Sequence, residues 1–375
     1  MTTNRREFLR YSAATGALLG LPSAAALAQD KSTAEAPARK LSMLVLGGTG
    51  LIGPALVEYA QARGHTVALF NRGKTNTHLF PDVEKLRGDR NPDKGDGIKA
   101  LEGRKFDVVF DDTGYYPRHV KASAELLAPN IGHYVFISSI SCYARNDIEG
   151  LDESGELATM SDPTLESMGK NYEHYGALKA LCEQAAEAAM PGKTCVIRPG
   201  YIVGPGDTSN RFAYWPMRAD KGGDFVVPGD PTDPIQVIDV RDLSEWMVHV
   251  AERKLVGRFN ACGPDKKLEW GKVIDACVKS ASKPCKPHWA PLDKLKELPR
   301  AGFQIWAPYD GETKGFHSVS NAAAVKNGMR FRPIETIVKD TLAWCKSLPA
   351  EQQAAALRSV PEDVEKQILE ALQKA

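Results

Sequence analysis

Tyr175 and Lys179 stand at i and i+4 in Tyr175-Gly176-Ala177-Leu178-Lys179. On a helix that spacing projects both side chains from one face. An ammonium beside a phenol favours the phenolate, so the tyrosine can exchange protons far below its unperturbed pKa of about 10. Upstream, the apolar run His133 to Ile137 ends in Ser138-Ser139-Ile140-Ser141. A serine hydroxyl at such a strand end can bind the same substrate oxygen. Tyr-x-x-x-Lys by itself is common on solvated helices, and its weight here comes from a second motif. Gly47, Gly50 and Gly53 punctuate Leu46-Gly47-Gly48-Thr49-Gly50-Leu51-Ile52-Gly53. One glycine makes a tight turn, one lets the backbone approach a pyrophosphate, and one lets a helix pack close to a strand. The helix N-terminus then offers free N–H groups and positive dipole charge to phosphates.

The elements that must position these groups read as a parallel sheet with helical crossovers. Leu41 to Leu46 is a buried strand entering the turn, a helix starts near Pro54, and His65 to Phe70 closes a βαβ unit. An acidic residue that holds the ribose of NAD is expected about 20 residues past the glycines. Asn71 and Arg72 stand there instead. Arg72 can pair with a 2′-phosphate, which a carboxylate would repel, so NADP is favoured over NAD. Val83 to Asp89 reads as a third strand, with Asp89 a candidate contact to the adenine amino group. Phe106 to Phe110 is a fourth, and Asp111 and Thr113 follow it at the carboxyl edge where ligands collect. After a helix from His119 to Ala128 and the fifth strand, a long helix from about Tyr172 to Met190 carries the Tyr-Lys pair.

With these pieces in order, the chain resembles the short-chain dehydrogenase/reductase superfamily, and in particular its extended, NAD-dependent epimerase/dehydratase-like branch. The resemblance rests on Gly47 to Gly53, Ser138 to Tyr143, Tyr175 to Lys179, Arg198 to Gly206 and Val237 to Leu243, and spans residues 41 to about 260. It implies an α/β fold: a Rossmann-type doubly wound parallel sheet with a smaller C-terminal substrate domain. It also implies that Tyr175 and Lys179 are catalytic, with Ser139 as the family's serine and Ser141 in reserve. The cofactor-binding set becomes Gly47, Thr49, Gly50, Leu51, Ile52, Gly53, Asn71, Arg72, Asp89, Asp111, Thr113, Tyr175, Lys179 and Pro199. The chain departs from the family at Asn71, where Asp is usual, and at Cys142 and Ala144 in the family's Val-Tyr-Gly.

From Gly204 onward the chain leaves the plain nucleotide fold. Asp207 to Asp220 reads as a helix lining a substrate cleft, with Tyr201, Arg211 and Trp215 the candidate substrate residues. The expected organisation is a dinucleotide domain over 41–203, a substrate-binding region interleaved with late Rossmann elements over 204–348, and C-terminal helices over 349–375. Those last helices are amphipathic and pack on the body or on the partner subunit of a homodimer. A formal net charge of +1 argues against nucleic acid or an anionic membrane as partner. The seven scattered cysteines argue against a zinc cluster or a disulfide framework.

The N-terminus is a separate unit. Asn4-Arg5-Arg6-Glu7-Phe8-Leu9-Arg10 precedes a mildly apolar run ending in Ala26-Leu27-Ala28. A basic start, a short apolar core and an A-x-A site describe a removable export signal, not a stable membrane anchor. The paired arginines resemble the twin-arginine signal over residues 1–28, followed by a polar linker over 29–40. That resemblance implies the twin-arginine export machinery as a partner, a periplasmic location, and a cofactor retained through export. The expected activity is hydride transfer at a carbinol or carbonyl carbon of a small molecule. It takes the form of an epimerase-like cycle on a sugar or sugar-like alcohol, or of a net NADP-dependent dehydrogenase or reductase of a small non-nucleotide substrate. A cofactor-stabilised binding protein without catalysis is the reading from another class.

Overall fold

The computed structural model describes residues 39–298 and 301–374. The expected export signal and nearly all of the linker lie outside the described residues. Seven parallel strands form the central sheet: β1 (Ser42–Leu46), β2 (Thr66–Asn71), β3 (Glu84–Arg87), β4 (Phe106–Asp111), β5 (Ile131–Ile137), β6 (Thr194–Pro199) and, after four further strands, β11 (Gly257–Ala261). Their order is β11-β6-β5-β4-β1-β2-β3. Direction of winding reverses at β1, between β2 and β4, and the crevice outside the carboxyl ends there is where such sheets bind ligands.

Four helices cover the two faces: α1 (Gly53–Ala62), α2 (Pro117–Leu127), α3 (Tyr175–Ala189) and, after α4 (Tyr214–Lys221), α5 (Val240–Arg253). Side-chain alternation along β1 shows how one strand serves both layers. Met43 and Val45 join Leu56 and Val57 of α1 and Trp246 and Met247 of α5 in one core. Leu44 and Leu46 join Val120 and Ala124 of α2 and Cys182 and Ala186 of α3 in the other. α1 begins with Pro54 in its first turn, where a missing N–H costs nothing. The Asp239 carboxylate caps α5 by accepting the Arg241 N–H at 2.8 Å.

A third core lies beyond the carboxyl edge. It contains Phe212 and Trp215, Phe225 and Val227, and Trp270 and Val273. Around it stand the pairs β7 (Tyr201–Val203) with β10 (Val237–Asp239), β9 (Pro234–Ile235) with β12 (Leu268–Glu269), and β8 (Gly223–Pro228) with β13 (Cys285–Ala290), along with α6 (Trp270–Ser280). The C-terminal helix Glu362–Gln373 lays fully buried Ile368 against Val226 and Ala290. Its Glu365 pairs with Arg218 of α4 at 2.8 Å, so this helix packs on the body. Among the described residues no helix is long and apolar enough to cross a membrane.

Three boundaries differ from the sequence reading. The third strand is only Glu84–Arg87. The long helix starts at Tyr175 because Tyr172 has φ of 58°, a left-handed conformation that cannot begin a helix. The Asp207 to Asp220 segment is helical only from Tyr214, since Asn210 turns the chain with φ of 60°.

Candidate active site

The glycine turn leaves β1 with a backbone that only glycine tolerates. Gly47 has φ of +128°, and a Cβ on it would lie 1.9 Å from Asp112 Oδ1. At Gly53 a Cβ would lie 2.2 Å from the Gly48 carbonyl carbon, so the missing methyl is what lets α1 sit on the turn. Gly50 has nothing within 4 Å of such a Cβ, and its backbone borders open space. Polar side chains fix the rim. Asn71 Nδ2 donates to Gly47 O at 2.9 Å, Asn76 Nδ2 to Thr49 O at 2.9 Å, and Thr113 Oγ1 to Leu46 O at 2.8 Å. Ile52 is buried in the core under α1 and Leu51 is half-buried. Both shape the turn.

At the end of β2, Arg72 is exposed, while Asn71 Oδ1 accepts from Gly73 N–H and from Arg87 of β3. Asp89 is half-buried in a turn closed by the Asn91 N–H at 2.9 Å. Pro199 is buried at the end of β6, in register with Ala261. Asp111 corrects its expected role. It is fully buried, and its Oδ2 accepts from Arg90 Nη2 and Tyr134 OH, both at 2.7 Å. Its carboxylate is consumed inside the sheet edge and is not offered to a ligand.

The proposed chemical groups meet at the carboxyl ends of β4 and β5. Ser139 caps a 3₁₀ turn (Ile140–Cys142), with its Oγ accepting the Ser141 N–H at 3.1 Å. Burial raises the Tyr175 pKa, while a hydrogen bond with Ser139 and the positive charge of Arg211 lower it. Of the two candidate serines, Ser139 is thus the one that acts on the phenol. Lys179, one turn further along α3, is buried, and its Nζ donates to Gly114 O at 2.9 Å and Ile137 O at 2.6 Å. It lies 4.5 Å from the centre of the Phe136 ring, and burial lowers its pKa. The expected lowering of the phenol by the ammonium is not what the structure gives: burial outweighs Ser139 and Arg211 and leaves the Tyr175 pKa above its ordinary value, and Lys179 is committed to two carbonyls.

Behind this layer runs a buried ionic network that the sequence reading missed. Glu183 lies one turn beyond Lys179 on α3, and both it and Arg198 of β6 have no exposed surface. Arg198 meets Glu183 through Nε at 3.0 Å and Nη2 at 2.6 Å, a bidentate pair. Ser138, next to Ser139, also donates to Glu183, and Arg198 Nη1 donates to Tyr143 OH at 3.0 Å. One carboxylate thereby ties the Tyr175 helix to the Ser139 strand end. The i+4 step from Lys179 to Glu183 was a visible signal, but its partner on another strand was not.

On the substrate side, Tyr201 of β7 is buried beneath Arg211, whose guanidinium stands 5.2 Å from the ring centre. Arg211 Nε donates to Ser209 Oγ at 2.9 Å. Buried Asp207 and His317 flank this corner. The Gln236 N–H donates to His317 Nδ1 at 3.1 Å, and Nε2 stands 2.9 Å from Ile305 O, which fixes a neutral ring. Trp215 corrects its expected role. It is fully buried, donates Nε1–H to Gln304 O at 3.0 Å, and packs edge-on against Trp270. It is core, not cleft wall.

A model of the NAD dependent epimerase/dehydratase family matches residues 43–262, well over half of the chain. The chain belongs to that family. It is similar to the chloroplast stem-loop binding protein of 41 kDa b of Arabidopsis thaliana, with 28% identity over 258 residues covering 64% of each protein. It is 31% identical to the 2-alkyl-3-oxoalkanoate reductase of Stenotrophomonas maltophilia over 187 residues, covering 44% of this chain and 52% of that enzyme. The matches thus span less than two thirds of either relative. Among solved structures, the Bordetella bronchiseptica enzyme WbmH in complex with NAD+ superposes with a TM-score of 0.60 at 15% identity, over 82% of this chain and 99% of that one. The UDP-N-acetylglucosamine 4-epimerase of Bacillus cereus gives 0.54 at 15% identity, over 81% and 99%. These likenesses show the Rossmann-like α/β fold.

Proposed function

We propose that the chain is an NAD(P)-dependent epimerase or oxidoreductase acting at a carbinol or carbonyl carbon of a sugar or sugar-like alcohol. The residues present fit a dinucleotide: the turn is bare at Gly50, and Gly53 opens α1 close against the turn, so the helix N-terminus faces it. On this reading Gly47 to Gly53 hold the diphosphate, Asn71 and Arg72 the adenosine ribose, Asp89 the adenine, and Lys179 the nicotinamide ribose. Bound there, the nicotinamide supplies the hydride acceptor and donor.

The observation that carries the reading is the gathering of Ser139, Tyr175 and Lys179 at the carboxyl edge: Ser139 is close enough to act on the Tyr175 phenol, and Lys179, one turn along the same helix, reaches the carbonyl of Ile137 at the end of the Ser139 strand. Tyr175 takes the proton of the substrate hydroxyl, or returns it, and Ser139 hydrogen-bonds to the same oxygen. Lys179 has three donors and spends two on carbonyls, which leaves one for a ribose hydroxyl. The direct test is Tyr175→Phe, which keeps the shape and removes the proton. Dinucleotide binding should persist and turnover should fall by at least about 10²-fold.

A redox-neutral, epimerase-like cycle is the preferred reaction. Residues 1–28 read as a twin-arginine signal, and an enzyme exported to the periplasm with its cofactor cannot exchange it with a cytoplasmic pool. The match to a reductase favours the second reading, net NADP-dependent reduction of a small non-nucleotide substrate. Exposed Arg72, with Arg87 at the same turn, supports NADP. Identifying the dinucleotide that co-purifies, then following a substrate panel at the reduced-nicotinamide band, separates the readings. Product without net redox change supports the epimerase, and stoichiometric redox change supports the reductase. The stem-loop binding relative raises a non-catalytic binding role, against which the near-neutral charge weighs.

A further inference from the structure

Asp112 follows the last residue of β4, and its carboxyl lies against the glycine turn. Its Oδ1 stands 1.9 Å from where a Gly47 Cβ would be, and the neighbouring Gly48 N–H lowers its pKa. Backbone N–H groups of such a turn are the donors that receive a ligand's phosphates. An internal carboxyl thus already stands against this turn. Its Oδ1 is buried with no hydrogen-bond partner among the described residues, a costly state for an ionised oxygen.

The surrounding charges do not compensate. Asp111 on the same strand repels it, while Arg90 from the loop after β3 and Lys179 from α3 attract it, and the Tyr115 phenol lies alongside. Arg90 is already bonded to Asp111 at 2.7 Å, and Asp111 also receives the Tyr134 hydroxyl from β5. Lys179 is committed to Gly114 O and Ile137 O. Burial and the Asp111 charge outweigh the two cations and push the Asp112 carboxyl up to about 7.

We propose that Asp112 sets dinucleotide affinity by competing for the glycine turn. Ionised, its carboxylate lies against the turn and repels the incoming diphosphate; neutral, it does not, so the dinucleotide binds with uptake of one proton from solvent at Asp112. The inference rests on the dinucleotide reading of the turn. The sign follows from linkage: the ligand favours the neutral form, so affinity falls as pH rises through the Asp112 titration.

The test is calorimetric titration of NAD+ into the full chain, freed of any bound dinucleotide, in buffers of different ionisation enthalpy. NAD+ is the probe because it lacks the phosphate monoester of NADP, which titrates near about pH 6. The Kd should be about tenfold higher at about pH 8 than at about pH 6, with proton uptake on binding above neutrality. Asp112→Asn should bind with a pH-independent Kd close to the wild-type acid value. Equal Kd at both pH values without proton uptake by the wild type overturns the proposal, whether or not the variant folds. So does an Asp112→Asn variant that keeps the wild-type pH dependence. Failure of the folded wild type to bind NAD+ at either pH overturns the dinucleotide reading itself.

Discussion

A buried phenol is a weak base at neutral pH, so the environment of Tyr175 decides whether it can act. Ser139 and Arg211 pull its pKa down against burial, and removing either should be visible in the pH dependence of turnover. In the oxidation direction the phenolate is required, so the rate climbs through the Tyr175 pKa as pH rises. Arg211→Gln should move that limb to higher pH, with a pH–rate profile as the measurement; an unmoved limb would separate Arg211 from the phenol. At this scale the sequence was partly legible. Tyr175 and Lys179 announce themselves by an i, i+4 step along one helix face. Arg211 could be placed in the cleft but not against the phenol, because its position depends on a turn through Asn210 in a left-handed conformation. Trp215 misled for the opposite reason: an aromatic two residues before Met217 on a short helix looks the same whether it faces ligand or core.

Among the elements, α1 and α3 carry the strictest geometry. A methyl group at Gly53 has no room against the Gly48 backbone, so Gly53→Ala should displace α1 from the turn. Calorimetry should show loss of NAD+ binding, and denaturant unfolding a cost of about 1–3 kcal/mol from overpacking. α3 is held to the Ser139 strand end through Glu183 and Arg198, a fully buried pair. Glu183→Ala leaves the guanidinium uncompensated and should cost about 3–5 kcal/mol, read from a denaturant midpoint. Most strands and helices of the nucleotide half were readable because short apolar runs alternate with longer helical ones between clear punctuation, although the ends of the third strand and the start of α3 were not. The glycine spacing also specified how strand and helix join. The Glu183–Arg198 tie could not be read, since pairing between a helix and a neighbouring strand depends on register.

The whole molecule joins the two cores of the sheet to a third at one sheet edge, and His317 sits at that junction beside Tyr201 and Phe316. Burial pushes its pKa down to about 4, and a neutral ring satisfies both nitrogens. The unfolded chain takes up that proton near about 6.5, so the unfolded state binds more protons throughout the window between the two values. The stability this group contributes is complete above the higher value and is lost as pH falls through the window, by about 3 kcal/mol. His317→Gln should flatten that part of the Tm-against-pH curve. The fold class was legible at this scale from the order of motifs alone. The third core was not, because its strands are two to six residues long and pair across distant segments. The most direct measurement is conversion of substrate to product, by product chromatography together with the reduced-nicotinamide absorbance, for dinucleotide-loaded wild type and Tyr175→Phe mixed with a panel of sugar alcohols and small ketones. Hydride chemistry governed by the Ser139–Tyr175–Lys179 corner predicts turnover by the wild type and a loss of at least about 10²-fold in the variant, with the dinucleotide still bound. Equal turnover in the two proteins would contradict it.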